Sequence, residues 1–151
     1  MDTWWIDEPH LLGSRNPTDA DLEKRRRDGF GVLVSLLEEA DEAARYDVAR
    51  VRALGFLWHN IPVNAYRAPS VDQLEQFVKF VADLPPGAKA IVHCGTGNGR
   101  AGTFGAAYWV GKGKTDSEAI ARVRKANPEA VETPEQEAAL KDFATRRVRR
   151  G

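Results

Sequence analysis

Cysteine is nearly absent from this chain, which has Cys94 as its single thiol in 151 residues. An intramolecular disulfide is therefore impossible, and a cysteine-rich zinc site is not expected. A lone cysteine is explained either by burial as a small apolar side chain or by chemistry. The residues around Cys94 have to decide between these two explanations.

Long apolar segments and an excess of charge of either sign are also absent. No apolar run approaches the roughly 20 residues of a membrane helix, and the start of the chain, Met1 to Trp4, lacks the basic residues of a secretory signal. Lys plus Arg and Asp plus Glu number 22 each, so the overall charge gives no reason to expect nucleic acid or a membrane surface as a partner. We expect a cytoplasmic location by default, and any anion must be bound by a local site.

What is present suits one globular domain. Hydrophobic residues make up 42% of the chain and charged residues 29%, which is an ordinary mixture for a soluble protein. A chain of 151 residues can bury one core of good size and leaves little room for a second. We therefore predict a single domain over residues 1–151.

Strands alternate with helices along the middle of the chain, and the C-terminal third is helical. The patterns predict strands over 4–6, 11–12, 32–37, 56–60 and 90–93, and helices over 18–28, 41–54, 70–84, 103–110, 115–127 and from 133 onward. Four of the helix starts carry capping pairs, namely Thr18 with Asp21, Ser70 with Gln73, Thr115 with Glu118 and Thr133 with Gln136. This order predicts an α/β fold, a single layered domain whose mostly parallel central sheet is flanked by helices.

A glycine-rich turn follows the predicted strand at 90–93. It reads His93-Cys94-Gly95-Thr96-Gly97-Asn98-Gly99-Arg100. Glycines in a strand-to-helix turn let several backbone N–H groups point inward, which forms a nest for an anion at a helix N-terminus. Arg100, six residues after Cys94, can fold back and hold two phosphate oxygens with its planar fork. The pattern predicts a phosphate site.

The same positive environment would favour thiolate over thiol at Cys94. A thiolate that attacks phosphorus forms a phosphocysteine, which water must later hydrolyse. The alternative is that Cys94 is a small buried hydrophobe in a tight turn, but that explains neither the strand-to-helix position nor the arginine. We therefore interpret Cys94 as the nucleophile of a two-step phosphatase.

A cysteine and an arginine separated by five residues, with His93 before and Gly102-Thr103 after, resemble the cysteine-based protein tyrosine and dual-specificity phosphatases. The small single-domain members, archaeal or atypical dual-specificity, are the most similar, and the resemblance covers nearly the whole chain. It extends to Val34-Ser35-Leu36, Ile61-Pro62, Ala68-Pro69-Ser70 and Glu132-Thr133. The resemblance implies hydrolysis of phosphorylated protein or peptide, phosphotyrosine first and dual specificity possible, with inorganic phosphate or a similar oxyanion in the loop and no metal or organic cofactor.

The chain departs from this family at the general acid. An aspartate is expected shortly after the Ile-Pro pair, but Ala65 occupies that position and Asn64 precedes it, and neither can donate a proton. Loss of a general acid typically costs about 10²- to 10⁴-fold in rate. Three explanations stay open: an engineered substrate-trapping variant, a natural binding protein, or an enzyme that uses another acid. Asp72, the nearest carboxylate in sequence, is assigned to the first turn of a helix, where the dipole favours it.

A second departure is Ala101, where the family usually has a serine or threonine that stabilises the departing thiolate. Thr103 is expected to point to another face of the helix and not to replace it. The resemblance also implies that Gln136 orients the hydrolytic water, although the same residue completes a capping box. His93 is expected to tie the loop by hydrogen bonds, and Tyr66 could stack on a substrate ring or simply be exposed.

Two rival functions remain at this point. A phosphopeptide-binding module without turnover is favoured by Ala65 and Ala101. A sulfur transferase also carries cysteine in an anion-binding loop, but Arg100 and the Ile61-Pro62 segment favour the phosphatase. Thiosulfate turnover distinguishes the sulfur transferase from the phosphatase.

Overall fold

The structure is a computed structural model that describes residues 2–150. Within these residues, the chain forms β1 (Thr3–Asp7), β2 (Leu11–Ser14), α1 (Asp19–Arg27), β3 (Val32–Ser35), α2 (Val48–Ala53), β4 (Leu57–Asn60), α3 (Val71–Ala82), β5 (Ala90–His93), α4 (Gly99–Gly111), α5 (Asp116–Ala126) and α6 (Pro134–Arg150). None of the helices in this range is long and apolar enough to cross a membrane.

The five strands form one mixed sheet in the order β1-β2-β5-β3-β4. β1 is antiparallel to β2, and the other three pairings are parallel. The register places the last residues of the four parallel strands side by side, with Ser14 opposite His93, His93 opposite Ser35 and Ser35 opposite Asn60. The loops that follow these strands therefore meet at one edge of the sheet, which is where α/β proteins bind ligands.

Helices cover both faces of the sheet, so alternate strand residues enter different cores. Val32 and Val34 face a cluster that includes Phe77, Phe104 and Phe143 of α3, α4 and α6. Leu33 and Ile91 face the other cluster, with Leu22 of α1 and Val51 of α2. The predicted α/β layered domain, with a mostly parallel sheet and a helical C-terminal third, is confirmed.

The prediction of a helix over 41–54 is wrong in its first half, because α2 covers only Val48–Ala53. Asp47 is the N-cap and its side chain accepts a hydrogen bond from the Ala49 amide. In the segment before it, Asn16 binds the backbone from outside, donating to Ala43 O and accepting from Arg45 N, both within 3.2 Å. These backbone groups are satisfied by a side chain rather than by helical partners, so residues 38–47 form a loop.

The capping predictions agree with the structure, whereas several boundaries differ. Both bonds of the capping box are present at Thr18, Ser70 and Thr115. β3 ends at Ser35 rather than at 37, although Leu36 and Leu37 remain buried. α4 begins at Gly99 rather than at Thr103, because the helix starts directly from the glycine-rich turn.

Candidate active site

The loop of residues 94–98 joins β5, the central strand, to the first turn of α4. Cys94 follows the strand and is 1% exposed, and Arg100 lies in the first turn of α4 and is 5% exposed. The loops that follow β2, β3 and β4 begin at the same edge of the sheet. The two residues that sequence reasoning paired as nucleophile and phosphate clamp are thus both buried at this edge.

The carbonyl groups of the loop are held from its outer side. Asn16 N donates to Gly95 O at 3.0 Å, and the Trp4 indole Nε1 donates to Gly97 O at 2.8 Å. His93 Nδ1 lies 3.4 Å from Cys94 O. Because the N–H of a trans peptide points opposite to its C=O, these contacts turn the amides of Gly95, Thr96 and Asn98 toward the inner side. Amides that face one side in this way are what an anion nest requires.

The sulfur of Cys94 lies on this inner side. Gly97 N donates to Cys94 Sγ at 3.3 Å. Gly97 has φ +87°, and a Cβ there would lie 2.7 Å from Arg15 N, so a larger residue would meet both backbone strain and a collision. An amide that donates to sulfur stabilises the thiolate, which is the reactive form.

The guanidinium of Arg100 is fixed by two acceptors that sequence reasoning missed. Nη1 donates to Val63 O at 2.9 Å, and Nη2 pairs with Glu42 Oε1 at 2.7 Å. A guanidinium has five N–H donors, so three remain for other acceptors. Glu42 belongs to the loop that was expected to be helical, and no local pattern indicated that its carboxylate reaches a residue 58 positions away.

Gln136 lies against the first residue of α4 and also caps α6. A Cβ on Gly99 would be 3.2 Å from Gln136 Nε2, and Gln136 Oε1 accepts from Glu132 N and Thr133 N. Glu132, which sequence reasoning named in the resemblance but gave no part in the site, contacts Gly99 more closely, since the same Cβ would lie 2.5 Å from its Oε1. Both functions considered for Gln136 are therefore compatible with its position.

The turn that carries Glu132 is strained and is held by an arginine. Val131 has φ +61°, a conformation that β-branched residues rarely adopt. Arg124 Nη2 donates to Val131 O at 2.7 Å, and Arg124 Nε donates to Ala130 O at 3.0 Å. These bonds fix the turn that places Glu132 beside Gly99.

The segment expected to supply the general acid is a turn at the surface. Ala65 is half-buried, and Tyr66 is 89% exposed with its amide bonded to Asn64 Oδ1. The Asn64 side chain donates to Asp41 of the loop after β3. Asp72, by contrast, lies on exposed α3 surface, where it pairs with Arg146 at 2.6 Å.

The hydroxyls near the cysteine are engaged elsewhere. Thr103 Oγ1 donates to Gly99 O at 2.7 Å, and Thr96 Oγ1 accepts from Asn98 N at 3.3 Å. Ala101 is fully buried and has no hydroxyl to offer. The geometry thus agrees with the expectation that Thr103 does not replace the missing hydroxyl at 101.

His93 is fully buried directly before Cys94. Its Nε2 lies 2.7 Å from Tyr46 Oη, which in turn accepts from Trp58 Nε1 at 3.1 Å. Burial, with a smaller contribution from the charge of Arg100, lowers the pKa of His93 to about 4. At neutral pH the imidazole is therefore uncharged, and its hydrogen bonds join the loop to Tyr46.

Known proteins resemble the chain in sequence family and in fold. The family described as Tc-R-P, polymorphic toxin system, DSP-PTPase phosphatase, matches residues 10–114. The crystal structure of Tk-PTP in the active form is 32% identical, with a TM-score of 0.88 over 96% of this chain and 97% of that one.

More distant structures share the fold. PTPMT1 in complex with PI(5)P is 20% identical, with a TM-score of 0.87 over 98% of this chain and 97% of that one. Human DUSP28 is 18% identical, with a TM-score of 0.79 over 98% of this chain and 96% of that one.

The family match covers the central part of the site. Residues 10–114 include β5, the loop with Cys94 and the whole of α4 with Arg100. The chain belongs to the DSP-PTPase phosphatase family, whose members are cysteine-based enzymes of the protein tyrosine phosphatase type.

Proposed function

We propose that the protein hydrolyses phosphomonoesters through a phosphocysteine at Cys94, with phosphotyrosine in proteins or peptides as its best substrate and with turnover limited by Ala65. One observation carries the proposal. The thiol of Cys94 and the guanidinium of Arg100 lie buried at a single loop whose Gly97 amide donates to the sulfur. This combination suits a thiolate that attacks a phosphoryl group held by an arginine fork.

The chemistry follows from these groups. The thiolate sulfur of Cys94 attacks phosphorus, and an S–P bond forms while the P–O bond to the leaving group breaks. The N–H groups of Arg100 that Glu42 and Val63 leave available hold equatorial oxygens, together with the inward amides of the loop. Water then attacks the phosphocysteine, which releases inorganic phosphate and returns the electron pair to sulfur.

The weak point is the proton that the leaving oxygen requires. Ala65 has no proton to give, and absence of a general acid costs about 10²- to 10⁴-fold in rate. A para-nitrophenolate leaves without protonation, so its ester is affected less than a tyrosine or alkyl ester. Ala101 adds a second limit, because no hydroxyl at that position stabilises the sulfur when it leaves phosphorus.

The burial of the nucleophile supports phosphotyrosine as the substrate. With Cys94 at 1% exposure, a phosphate at the end of a phenyl ring reaches the sulfur more easily than one on a serine. Glu42 and Glu132 contact the loop, and the segment 94–100 contains no lysine, which disfavours a highly charged phosphoinositide. PTPMT1, crystallised with PI(5)P, is too distant to decide this point.

A phosphopeptide-binding module is the second candidate. Ala65 and Ala101 remove groups needed for turnover, whereas Arg100 and the loop amides, which bind phosphate, are in place. Binding is therefore expected in either case, and only turnover separates the two functions.

The test measures hydrolysis of para-nitrophenyl phosphate and of a phosphotyrosine peptide, together with affinity for that peptide, for the protein, Ala65→Asp and Cys94→Ser. A gain of about 10²-fold or more on phosphotyrosine peptide with Ala65→Asp, and no hydrolysis with Cys94→Ser, is the expected result. Thiosulfate turnover serves as the control for a sulfur transferase.

Two other results would change the assignment. Peptide binding by every version without hydrolysis by any would make the protein a binding module. No gain with Ala65→Asp, combined with loss of activity in Glu132→Gln or Glu42→Gln, would mean that one of the two carboxylates in contact with the loop already supplies the proton.

A further inference from the structure

The indole of Trp4 makes a buried hydrogen bond to the catalytic loop. Nε1 donates to Gly97 O at 2.8 Å across 93 positions of sequence, and Trp4 is 4% exposed. Gly13 on the neighbouring strand makes room for the ring, since a Cβ there would lie 2.7 Å from indole Cε2. Trp4 belongs to the hydrophobic core, and this bond adds a specific contact to that burial.

The bond determines which way one peptide group faces. Because Gly97 O points outward to Trp4, the N–H of Asn98 in the same planar peptide points inward, to the side of Cys94 Sγ. The Asn98 amide donates to Thr96 Oγ1 at 3.3 Å, which is long for a hydrogen bond of this kind. A charged phosphate oxygen is a stronger acceptor than this hydroxyl.

Gly97 is the residue of the loop at which such a constraint matters most. Its φ is +87°, and a glycine peptide can rotate among conformations that other residues cannot adopt. Asn16 N donates to Gly95 O, and His93 Nδ1 contacts Cys94 O, so these two residues hold the earlier peptides of the loop. The Gly97–Asn98 peptide is held by Trp4.

We propose that Trp4 is a positioning residue of the phosphate site: it acts through the Gly97 peptide and keeps the Asn98 amide directed at the bound oxyanion. The inference rests on the proposed function to the extent that this loop is the phosphate site. Loss of one neutral hydrogen bond of this kind weakens oxyanion binding about three- to tenfold.

The test is calorimetric titration with tungstate of the protein, Trp4→Phe and Trp5→Phe. Trp5 lies on the same strand, is half-buried and stacks on Phe30 at 6.0 Å, so its variant is a matched control. We expect the tungstate Kd to rise about three- to tenfold in Trp4→Phe and to stay within about twofold in Trp5→Phe. A purely structural contribution of Trp4 would lower Tm without changing the Kd of the folded protein.

A second variant covers the case in which Trp4→Phe does not fold. Replacement of Trp4 by β-(3-benzothienyl)alanine keeps the bicyclic shape and replaces the N–H by sulfur, and the same rise in Kd is expected. An unchanged Kd in the folded Trp4 variants would overturn the inference and leave the proposed function standing. No tungstate binding by the unmodified protein would overturn the phosphate site itself, and the inference with it.

Discussion

At the scale of single residues, the guanidinium of Arg100 has two partners of different charge, a neutral carbonyl and a carboxylate. It is oriented by Val63 O, yet its other contact, Glu42, is a carboxylate in van der Waals reach of Gly95. The carboxylate of Glu42 would compete with a bound phosphate, because both pair with Arg100. It would also repel the phosphate, because like charges repel in a partly buried site. We therefore expect Glu42 to affect the strength of anion binding as well as the orientation of the arginine.

We predict that Glu42→Gln binds tungstate about three- to tenfold more tightly than the unmodified protein. The amide oxygen still accepts from Arg100 Nη2, whereas the negative charge is removed. Calorimetric titration at low and high salt checks this, with Glu39→Gln, an exposed position in the same loop, as the control of equal charge. Weaker binding by Glu42→Gln would show instead that the charged pair is needed to orient Arg100.

At the scale of secondary structure elements, α4 explains how the loop is supported. Residues Gly99 to Val110 are all buried, and the helix packs against α3, α5 and α6. Gly102 permits a close approach of α4 to the backbone of another segment, since a Cβ there would lie 2.8 Å from Ala130 Cα and from Val131 N. These are backbone atoms of the strained turn that positions Glu132, so they cannot move freely.

We predict that Gly102→Ala destabilises the protein by about 1–3 kcal/mol, because overpacking against fixed backbone outweighs the better helix propensity of alanine. Gly105→Ala is the matched control in the same helix, where the added Cβ meets the side chain of Ile6 at 3.0 Å. Urea unfolding measures both. Equal stability of the two variants would mean that the 127–133 turn yields to α4.

The elements and the central loop follow from local pattern, whereas the surroundings of the loop do not. Capping pairs and the Cys94 to Arg100 spacing are short-range signals, and the structure places both residues together. Glu42, Val63 and Trp4 reach the loop through tertiary contacts with no local signature. The false helix over 41–47 has the same origin, because a side chain from residue 16 satisfies the backbone there.

At the scale of the whole molecule, the buried His93 makes stability depend on pH. Burial lowers its pKa from 6.5 to about 4 in the folded state, so the unfolded chain binds a proton that the folded protein does not. The free energy of unfolding therefore falls as pH decreases from about 6.5 to about 4, by on the order of 3 kcal/mol from this group. Above pH 6.5 the contribution does not change.

We predict that His93→Gln shows a smaller loss of stability over this pH interval than the unmodified protein. Urea unfolding at pH 7.0, 5.5 and 4.5 supplies the comparison, and the difference between the two proteins removes the contribution of carboxylates that they share. Parallel pH profiles would mean that His93 is protonated in the folded state at these pH values.

The hydrogen bond from Trp4 to Gly97 also bears on how the protein folds. Contacts that join residues far apart in sequence form late, because a long loop of chain must close before they are gained. The loop of residues 94–98 is bounded by such contacts. Trp4 and Gly97 lie 93 positions apart in sequence, and Tyr46 and His93 lie 47 positions apart. If Trp4 positions the loop as proposed, we expect full oxyanion affinity only after the first strand has docked, and weaker binding by a partly folded chain.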